Sequence, residues 1–214
     1  MHYCYEAVFS QSVGLLESRD ADSPNVREIT GEVWARGSDD TRIRVGALQA
    51  IQMDLWYGSA LLEADAHSQD LAEVVSAFWN PAKLRFVPAI ENLFPDQSAL
   101  LYLQLLQIED AHRGRDLGLA TIAACLERFG NSNAGTLAIL KPCPLQFAEG
   151  PLDEALVAKY AARGFTTESK RAFASLTKHW ARLGFRRIAK TDFWAWSCDQ
   201  ATPDWSRKPC GKRA

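Results

Sequence analysis

The stretch "ALLYLQLLQIEDAHRGRDLGLATI", residues 99 to 122, joins a strand pattern, a loop and a helix pattern in one unit. Residues 99 to 108 are almost continuously apolar, which is typical of a central strand covered on both faces. Apolar residues then recur at three- and four-residue spacing from Leu119 to Phe129, and Gly130 is expected to end that helix in a left-handed conformation. Because the first amides of a helix have no intrahelical partners and carry partial positive charge, the loop between them is a natural seat for a phosphate.

The segments before this unit predict a hairpin and a helix. Residues 27–36 and 41–55 flank the turn-forming "GSDD" and read as two strands. A helical period begins at Asp65, where either Asp65 or Ser68 is a suitable cap, and ends at Asn80-Pro81. Residues 81–98 contain several prolines and predict an irregular crossing with one short turn.

The segments after the unit predict a further strand, a helix and a closing region of sheet. The apolar run 136–140 reads as a strand, and it ends in "KPCP" (141–144), where two prolines cannot donate to a sheet ladder. Residues 173–183 have helical apolar spacing and are followed by Gly184. The alternation in 185–197 suits one or two closing strands.

Length and composition favour one domain. The chain has 214 residues, of which 47% are hydrophobic, and this is enough for one sizeable core. We predict a single domain over 1–198, with its motifs in 99–197, and a polar, flexible tail over 199–214.

Charge and cysteine usage narrow the class of protein. The formal net charge of −2 does not favour nucleic acid as a partner. No apolar run is long enough to span a bilayer, so we expect neither membrane attachment nor a signal peptide. The five cysteines form no CxxC pair and read as free thiols of a reducing, cytoplasmic compartment; they are Cys4, Cys125, Cys143, Cys198 and Cys210.

The loop does not match the two commonest phosphate-binding patterns, and it resembles a third. The P-loop needs a Gly-Lys-Ser/Thr ending and the dinucleotide fingerprint needs GxGxxG, and neither is present. "LQIEDAHRGRDLGLATI" (106–122) resembles motif A of the GNAT superfamily of acyl-CoA-dependent N-acyltransferases, with Arg113 at the Arg/Gln position and Gly118 at the final glycine. "LTKHWARLGFRRI" (176–188) is similar to motif B of that family. The resemblance covers roughly the C-terminal half of the chain.

The resemblance implies a fold, a cofactor and a reaction. The fold would be an α/β one, with a mixed, mostly antiparallel central sheet that is splayed in the middle and flanked by helices. An acyl-CoA, most simply acetyl-CoA, would be the co-substrate without a metal, and its acyl group would pass to a primary amine by direct attack. An amide near Leu106 or Ile108 would polarise the thioester carbonyl. The implied cofactor-binding residues are Leu106, Gln107, Ile108, Arg113, Gly114, Arg115, Asp116, Leu117, Gly118 and Leu119.

Two positions depart from the family pattern. Asp116 occupies the first glycine of the motif, where its carboxylate would cap the helix and compete with pyrophosphate for the same amides. Trp180 stands where many members of the family carry a tyrosine acid, and an indole is no acid at neutral pH. Tyr160, in the similar segment "YAARGF" (160–165), is a weak substitute.

The general base and acid are therefore left unassigned. Glu109, Asp110 and Glu91 are weak candidates for a base, and solvated acids of a loop would look the same in the sequence. His112 is expected to be a surface histidine rather than a cofactor ligand. Cys143 has no evident His/Asp companion and is expected to be a buried, inert thiol.

Three functions remain open at this stage. The first is an N-acyltransferase that acts on a small-molecule or protein amine. The second is a non-catalytic module of the same fold that binds CoA or a partner, motivated by Asp116, Trp180 and the missing base. The third is a phosphate-loop protein for another nucleotide. A homodimer is left open in each case.

Overall fold

A computed structural model describes residues 4–13, 25–56, 59–130, 135–144, 147 and 154–200. Residues 201–214 of the predicted tail, with Cys210, lie outside these ranges. Asp199, at the start of that tail, is held by the domain, because Gln97 Nε2 donates a hydrogen bond of 2.9 Å to Asp199 Oδ2.

The described residues form a mixed set of strands and helices. The strands are β1 (Cys4–Val13), β2 (Val26–Arg36), β3 (Arg42–Asp54), β4 (Trp79–Asn80), β5 (Arg85–Phe86), β6 (Ala99–Ile108), β7 (Thr136–Leu140), β8 (Arg186–Arg187) and β9 (Trp194–Ser197). The helices are α1 (Ala60–His67), α2 (Gln69–Phe78), α3 (Pro88–Glu91), α4 (Leu117–Phe129), α5 (Glu154–Ala162) and α6 (Ser169–Ala181). Within the described part of the chain, no helix is long and apolar enough to cross a membrane.

The strongest sequence patterns are confirmed, and two details are corrected. The hairpin is β2 and β3, the apolar runs are β6 and β7, and the closing strands are β8 and β9. Ser68 is the cap of α2, where its Oγ accepts a hydrogen bond of 3.2 Å from the Leu71 amide, whereas Asp65 lies inside α1. Gly130 ends α4 with a φ of −80°, so the prediction of a left-handed stop was wrong.

The main sheet has the strand order β1-β2-β3-β6-β7-β9-β8. All neighbours in it are antiparallel except β6 and β7, which are parallel. This confirms the predicted α/β class with a mixed, mostly antiparallel sheet. The parallel pair is joined through α4, as a parallel connection requires a crossover.

Helices cover both faces of the sheet. Leu100, Tyr102 and Leu137 point to one side and pack with α1, α2 and α3. Leu101 and Leu103, which alternate with them, point to the other side and pack with α4 and α6. Burial on both faces explains why the sequence of β6 is almost continuously apolar.

The centre of the sheet splits where β6 and β7 stop pairing. Their last paired residues are Leu103 and Leu140, so the second half of β6 has no partner on this side among the described residues. Gln104 is an extra residue in β6, because Ala50 of β3 pairs with Leu103 and the preceding Gln49 pairs with Leu105. A bulge bends its strand and increases the local twist, which turns β6 away from β7. The predicted splay is confirmed.

Gly46 permits close packing at the far end of β6. A Cβ built on Gly46 would lie 2.7 Å from the Gln107 carbonyl oxygen and 2.7 Å from Ile108 Cδ1. We therefore expect Gly46→Ala to lower the free energy of unfolding by about 1 to 3 kcal/mol, because the backbone of β6 would have to shift.

Urea unfolding followed by circular dichroism measures this effect. Gln49→Ala, at an exposed position of the same strand, is the matched control and should change the free energy of unfolding by less than about 0.5 kcal/mol. Equal losses in the two variants would contradict the packing argument.

Candidate functional site

A cleft of about 680 Å³ opens where β6 and β7 part. Its floor is the second half of β6, from Leu103 to Ile108, and one wall is the segment Leu140–Pro144 that follows β7. The loop before α4 closes one end, α6 forms the opposite wall, and Phe165 and Thr166 complete the rim. The cleft therefore joins a free strand edge to the beginning of a helix.

Most of the residues predicted to bind the cofactor line this cleft. They are Leu106, Gln107, Ile108, Arg113, Gly114, Asp116, Leu117 and Gly118. Two of the predicted residues lie elsewhere. Leu119 has no exposed surface and packs in the core beneath α4, and the exposed Arg115 donates a hydrogen bond to the Tyr5 hydroxyl of β1. Their side chains therefore do not line the cleft, whereas the contacts predicted for these two residues are made by backbone amides of the loop and of the first turn of α4.

The carboxylate of Asp116 does not cap α4. Asp116 adopts a left-handed conformation with φ of 57°, and its side chain makes no capping hydrogen bond to the helix. Instead it accepts two hydrogen bonds from Arg182, with Nη1 to Oδ1 at 2.8 Å and Nη2 to Oδ2 at 2.9 Å. The sequence-based expectation that this carboxylate occupies the helix amides was wrong. Since Asp and Asn tolerate the left-handed region better than most residues, the backbone here accepts an aspartate in place of the usual glycine.

The start of α4 therefore remains open toward the cleft. The first helical bond runs from the Ala120 amide to the Asp116 carbonyl, so the amides of Leu117, Gly118 and Leu119 precede the hydrogen-bonded part of the helix. Gly118 keeps the backbone accessible. A Cβ at that position would lie 3.2 Å from Leu106 Cδ2 and 3.8 Å from His179 Nε2.

Arg113 is bound to the protein on several sides. Its Nε donates to the Ile108 carbonyl at 2.8 Å, and its Nη1 lies 2.8 Å from Asp110 Oδ1. Its guanidinium carbon lies 4.2 Å from the centre of the Phe165 ring. Arg113 thus connects the loop to the end of β6 and to the rim of the cleft. These contacts hold its guanidinium group, and with it the positive charge, in one position.

The weak catalytic candidates lie outside the cleft. Asp110 is bound by Arg113 and Arg163, and the hydrogen bond from Arg163 lowers its pKa, which makes it a poor base. Glu109 is exposed, and Glu91 lies in α3. Tyr160 packs edge-on against Phe165, with ring centres 5.6 Å apart, and does not reach the lining.

Two expectations about reactive side chains are corrected. His112 is not a surface histidine, because only 5% of it is exposed and its Nδ1 lies 3.2 Å from the Tyr5 hydroxyl in a shared hydrogen bond. Cys143 is exposed and lines the cleft rather than being buried. By contrast, burial raises the pKa of Cys125 and of Cys198 to about 12, so these two thiols are inert at neutral pH.

Sequence reasoning did not single out His179, in the last turn of α6, or Arg182, which follows the last residue of that helix, although both line the cleft beside the loop. They stand at i and i+3, on the same side of the helix, and flank Trp180. Only 8% of Trp180 is exposed, and it packs in the core while reaching the cleft. The spacing was visible in the sequence, but the contact with the loop 66 positions away was not.

The lining of the cleft is cationic. Its charged and ionisable basic side chains are Arg113, Lys141, Lys178 and Arg182, with His112 and His179. Of the acidic side chains in the described residues, Asp116 alone lines it, and Arg182 neutralises that carboxylate. Arg113 and Lys141 are paired with Asp110 and Glu73, two carboxylates outside the lining, so basic groups outnumber acidic ones at the surface of the cleft although the chain as a whole carries a net charge of −2. Such a lining suits an anionic ligand.

No metal centre is evident in the described ranges, where no group of three or more His, Cys, Asp or Glu side chains is placed to hold an ion.

Comparisons with known proteins give only distant likenesses. No family model matches the chain. No curated protein matches it either. A crystal structure of a point mutant of KacT is 10% identical, with a TM-score of 0.37, and the match covers 83% of this chain and 74% of that one. A crystal structure of a KacTA–DNA complex is 9% identical, with a TM-score of 0.36, and covers 91% and 94%. Likeness at this level carries no argument about function, which therefore rests on the cleft.

The Asp116–Arg182 pair should control anion affinity. Asp116→Asn keeps the shape and the left-handed backbone but removes a negative charge beside the helix start. We expect it to tighten binding of inorganic pyrophosphate by about fivefold, and Arg182→Gln to weaken it by a similar factor, since such a pair contributes about 1 kcal/mol.

Isothermal titration calorimetry with pyrophosphate at low salt measures both changes. Asp192→Asn is the control, because Asp192 pairs with Arg187 on the surface at 3.4 Å, away from the cleft. If Asp116→Asn bound pyrophosphate no better than Asp192→Asn, the carboxylate would not oppose an anion at this site.

Proposed function

We propose that this protein is an acyl-CoA-dependent N-acyltransferase that uses acetyl-CoA, or a closely related acyl-CoA, as the donor. The observation that carries the proposal is the slot between β6 and β7, which ends at the open first turn of α4 and has a cationic lining. Acyl-CoA has the matching form, with a long amide-containing arm and a pyrophosphate at one end. The sequence resemblance to the GNAT superfamily supports the same assignment.

The arm would lie along the free edge of β6. The peptide groups of residues 104–108 on this side have no strand partner in the described part of the chain, and an arm with its own amides can add to them like an extra strand. The pyrophosphate would then lie on the amides of Leu117 and Gly118, at the positive end of the α4 dipole. Of the predicted ligands, Leu119 would take part through its backbone amide only, and the side chain of Arg115 would take no part.

Transfer would proceed by direct attack in a ternary complex. A backbone amide of β6 near Leu106 would polarise the thioester carbonyl, and a neutral primary amine would attack its carbon. The carbon–sulfur bond then breaks and CoA leaves as the thiolate, which takes up a proton, while the amine nitrogen loses one. Neither proton transfer is assigned to a side chain.

A non-catalytic CoA-binding module is the alternative, and one observation favours it. Within the described lining, the single carboxylate is held by Arg182, and Trp180 occupies the tyrosine position of the family motif. A protein that binds the donor without a base or an acid would present this lining.

Binding of the donor should depend on the backbone at Gly118. Gly118→Leu would fill the space between Leu106 and His179, so we expect the affinity for acetyl-CoA to fall by at least about a hundredfold. Calorimetric titration measures it. Glu127→Leu places the same side chain at an exposed position of α4 and should leave the affinity unchanged. Equal affinities in the two variants would remove the proposed placement, and no binding by the native protein would remove the proposal.

Turnover separates the enzyme from the binding module. We expect release of the CoA thiol when acetyl-CoA is incubated with at least one amine of a panel of polyamines, aminoglycosides, amino acids and lysine peptides. A thiol reagent reports it, after subtraction of the signal of the protein alone, since Cys4 and Cys143 are exposed. Tight binding of acetyl-CoA without thiol release across the panel would favour the module.

A further inference from the structure

His179 stands over the start of α4 with both ring nitrogens available. It lines the cleft, and its Nε2 lies 3.8 Å from the position of a Cβ on Gly118. Its ring packs edge-on against Trp180, with centres 5.1 Å apart. No hydrogen bond joins the ring to another described residue. Neither ring nitrogen is fully buried, so a ligand in the cleft can reach the ring.

The charges around the ring keep it neutral in the free protein. Burial lowers the pKa of His179 below its ordinary value, and the neighbouring Arg182 lowers it further, while Asp116 acts in the opposite direction. The other basic side chains of the cleft lining are Lys178 on the same helix, Lys141 after β7, and His112 and Arg113 on the loop. At neutral pH the imidazole is therefore a neutral group among cations.

We propose that His179 binds the pyrophosphate of the donor and that its ring takes up a proton when the donor binds. The inference rests on the proposed function, because it takes the ligand at the start of α4 to be the pyrophosphate of an acyl-CoA. It adds a binding residue outside the loop and a dependence of donor affinity on pH. His179 acts on the phosphates and takes no part in the transfer step.

The proton balance fixes the sign of the effect. In the free protein, the ring of His179 faces cations and one carboxylate, that of Asp116, which is paired with Arg182. A bound pyrophosphate would bring two negative charges close to the ring. The pKa of His179 would therefore rise in the complex. The ring accepts one proton from solvent and donates through Nε2–H to a phosphate oxygen. Affinity must then increase as pH falls through the pKa of the complex, and it stops increasing below the lowered pKa of the free protein.

Titration of the native protein with dephospho-CoA from about pH 8.5 to about pH 5.5 tests this. Dephospho-CoA is the suitable probe because the 3′-phosphate of CoA itself has a pKa near 6. We expect affinity to rise as pH falls, by at most about tenfold per pH unit, the limit for uptake of one proton. Calorimetry in two buffers of different ionisation enthalpy should show uptake of a fraction of a proton at pH 7. An affinity that does not change with pH, or no proton uptake, would overturn the inference.

Variants assign the effect to this residue. His179→Gln keeps a hydrogen-bond donor but cannot gain charge, so the dependence on pH should disappear and the affinity should stay near the native value at high pH. His67→Gln is the control, because His67 lies in α1 outside the cleft lining, and it should keep the native dependence. A dependence that persists in His179→Gln would assign the proton to another group, such as His112, and overturn the inference.

The two failures are distinguishable. If the probe binds with an affinity that is independent of pH, the role of His179 fails and the donor assignment stands. If neither dephospho-CoA nor acetyl-CoA binds at any pH, both the proposed function and the role of His179 fail.

Discussion

The separation of β6 from β7 after the Leu103–Leu140 pair is the constraint on which the cleft depends. The bulge at Gln104 turns β6 away, and Pro142 and Pro144 remove the amides with which the continuation of β7 would have paired. Before this point, residues 99–103 of β6 and 136–140 of β7 are paired and packed in the core, so the two strands separate only beyond it. A hydrogen-bonding strand edge is left facing a cavity, which sheets ordinarily avoid by covering their edges. A bound ligand with its own amide groups would supply hydrogen-bond partners for this edge.

The loop at the end of this edge combines an unusual residue with a partner that neutralises it. An aspartate at a left-handed position beside the proposed anion site would be unfavourable on its own, because its charge would oppose the ligand. The two hydrogen bonds from Arg182 neutralise the carboxylate and also hold α6 against the loop. The pair thus positions His179, one turn earlier on α6, over the first turn of α4. A glycine in the loop would leave α6 without this anchor, so Asp116 acts as a positioning residue for the wall of the site.

The sequence was informative where a pattern repeats locally, and silent where distant residues meet. The strands β6 and β7 were predictable because burial on both faces leaves a continuous apolar run. The helix α4 was predictable because burial of one face leaves a helical apolar period. The sequence did not predict β1, because its polar residues resemble those of a loop. In the structure, partly buried and exposed residues alternate along the first part of this strand. The bulge at Gln104 and the Asp116–Arg182 pair have no local signature. Likewise, His112 looks like a surface residue in "EDAHRGRD", and only the approach of Tyr5 from β1 explains its burial.

The chemistry of the lining bears on whether the fold catalyses transfer. A cationic cleft would attract the proposed donor and disfavour an ammonium ion, so an amine acceptor would react from the small neutral fraction present in solution. Backbone polarisation of the thioester needs no side chain, and a neutral amine needs no base before it attacks. The absence of an available carboxylate in the described lining therefore favours the binding module without ruling out transfer. Under the proposed function, the rate would increase with pH as the neutral amine becomes more abundant, while the affinity for the donor would decrease with pH as His179 loses its proton.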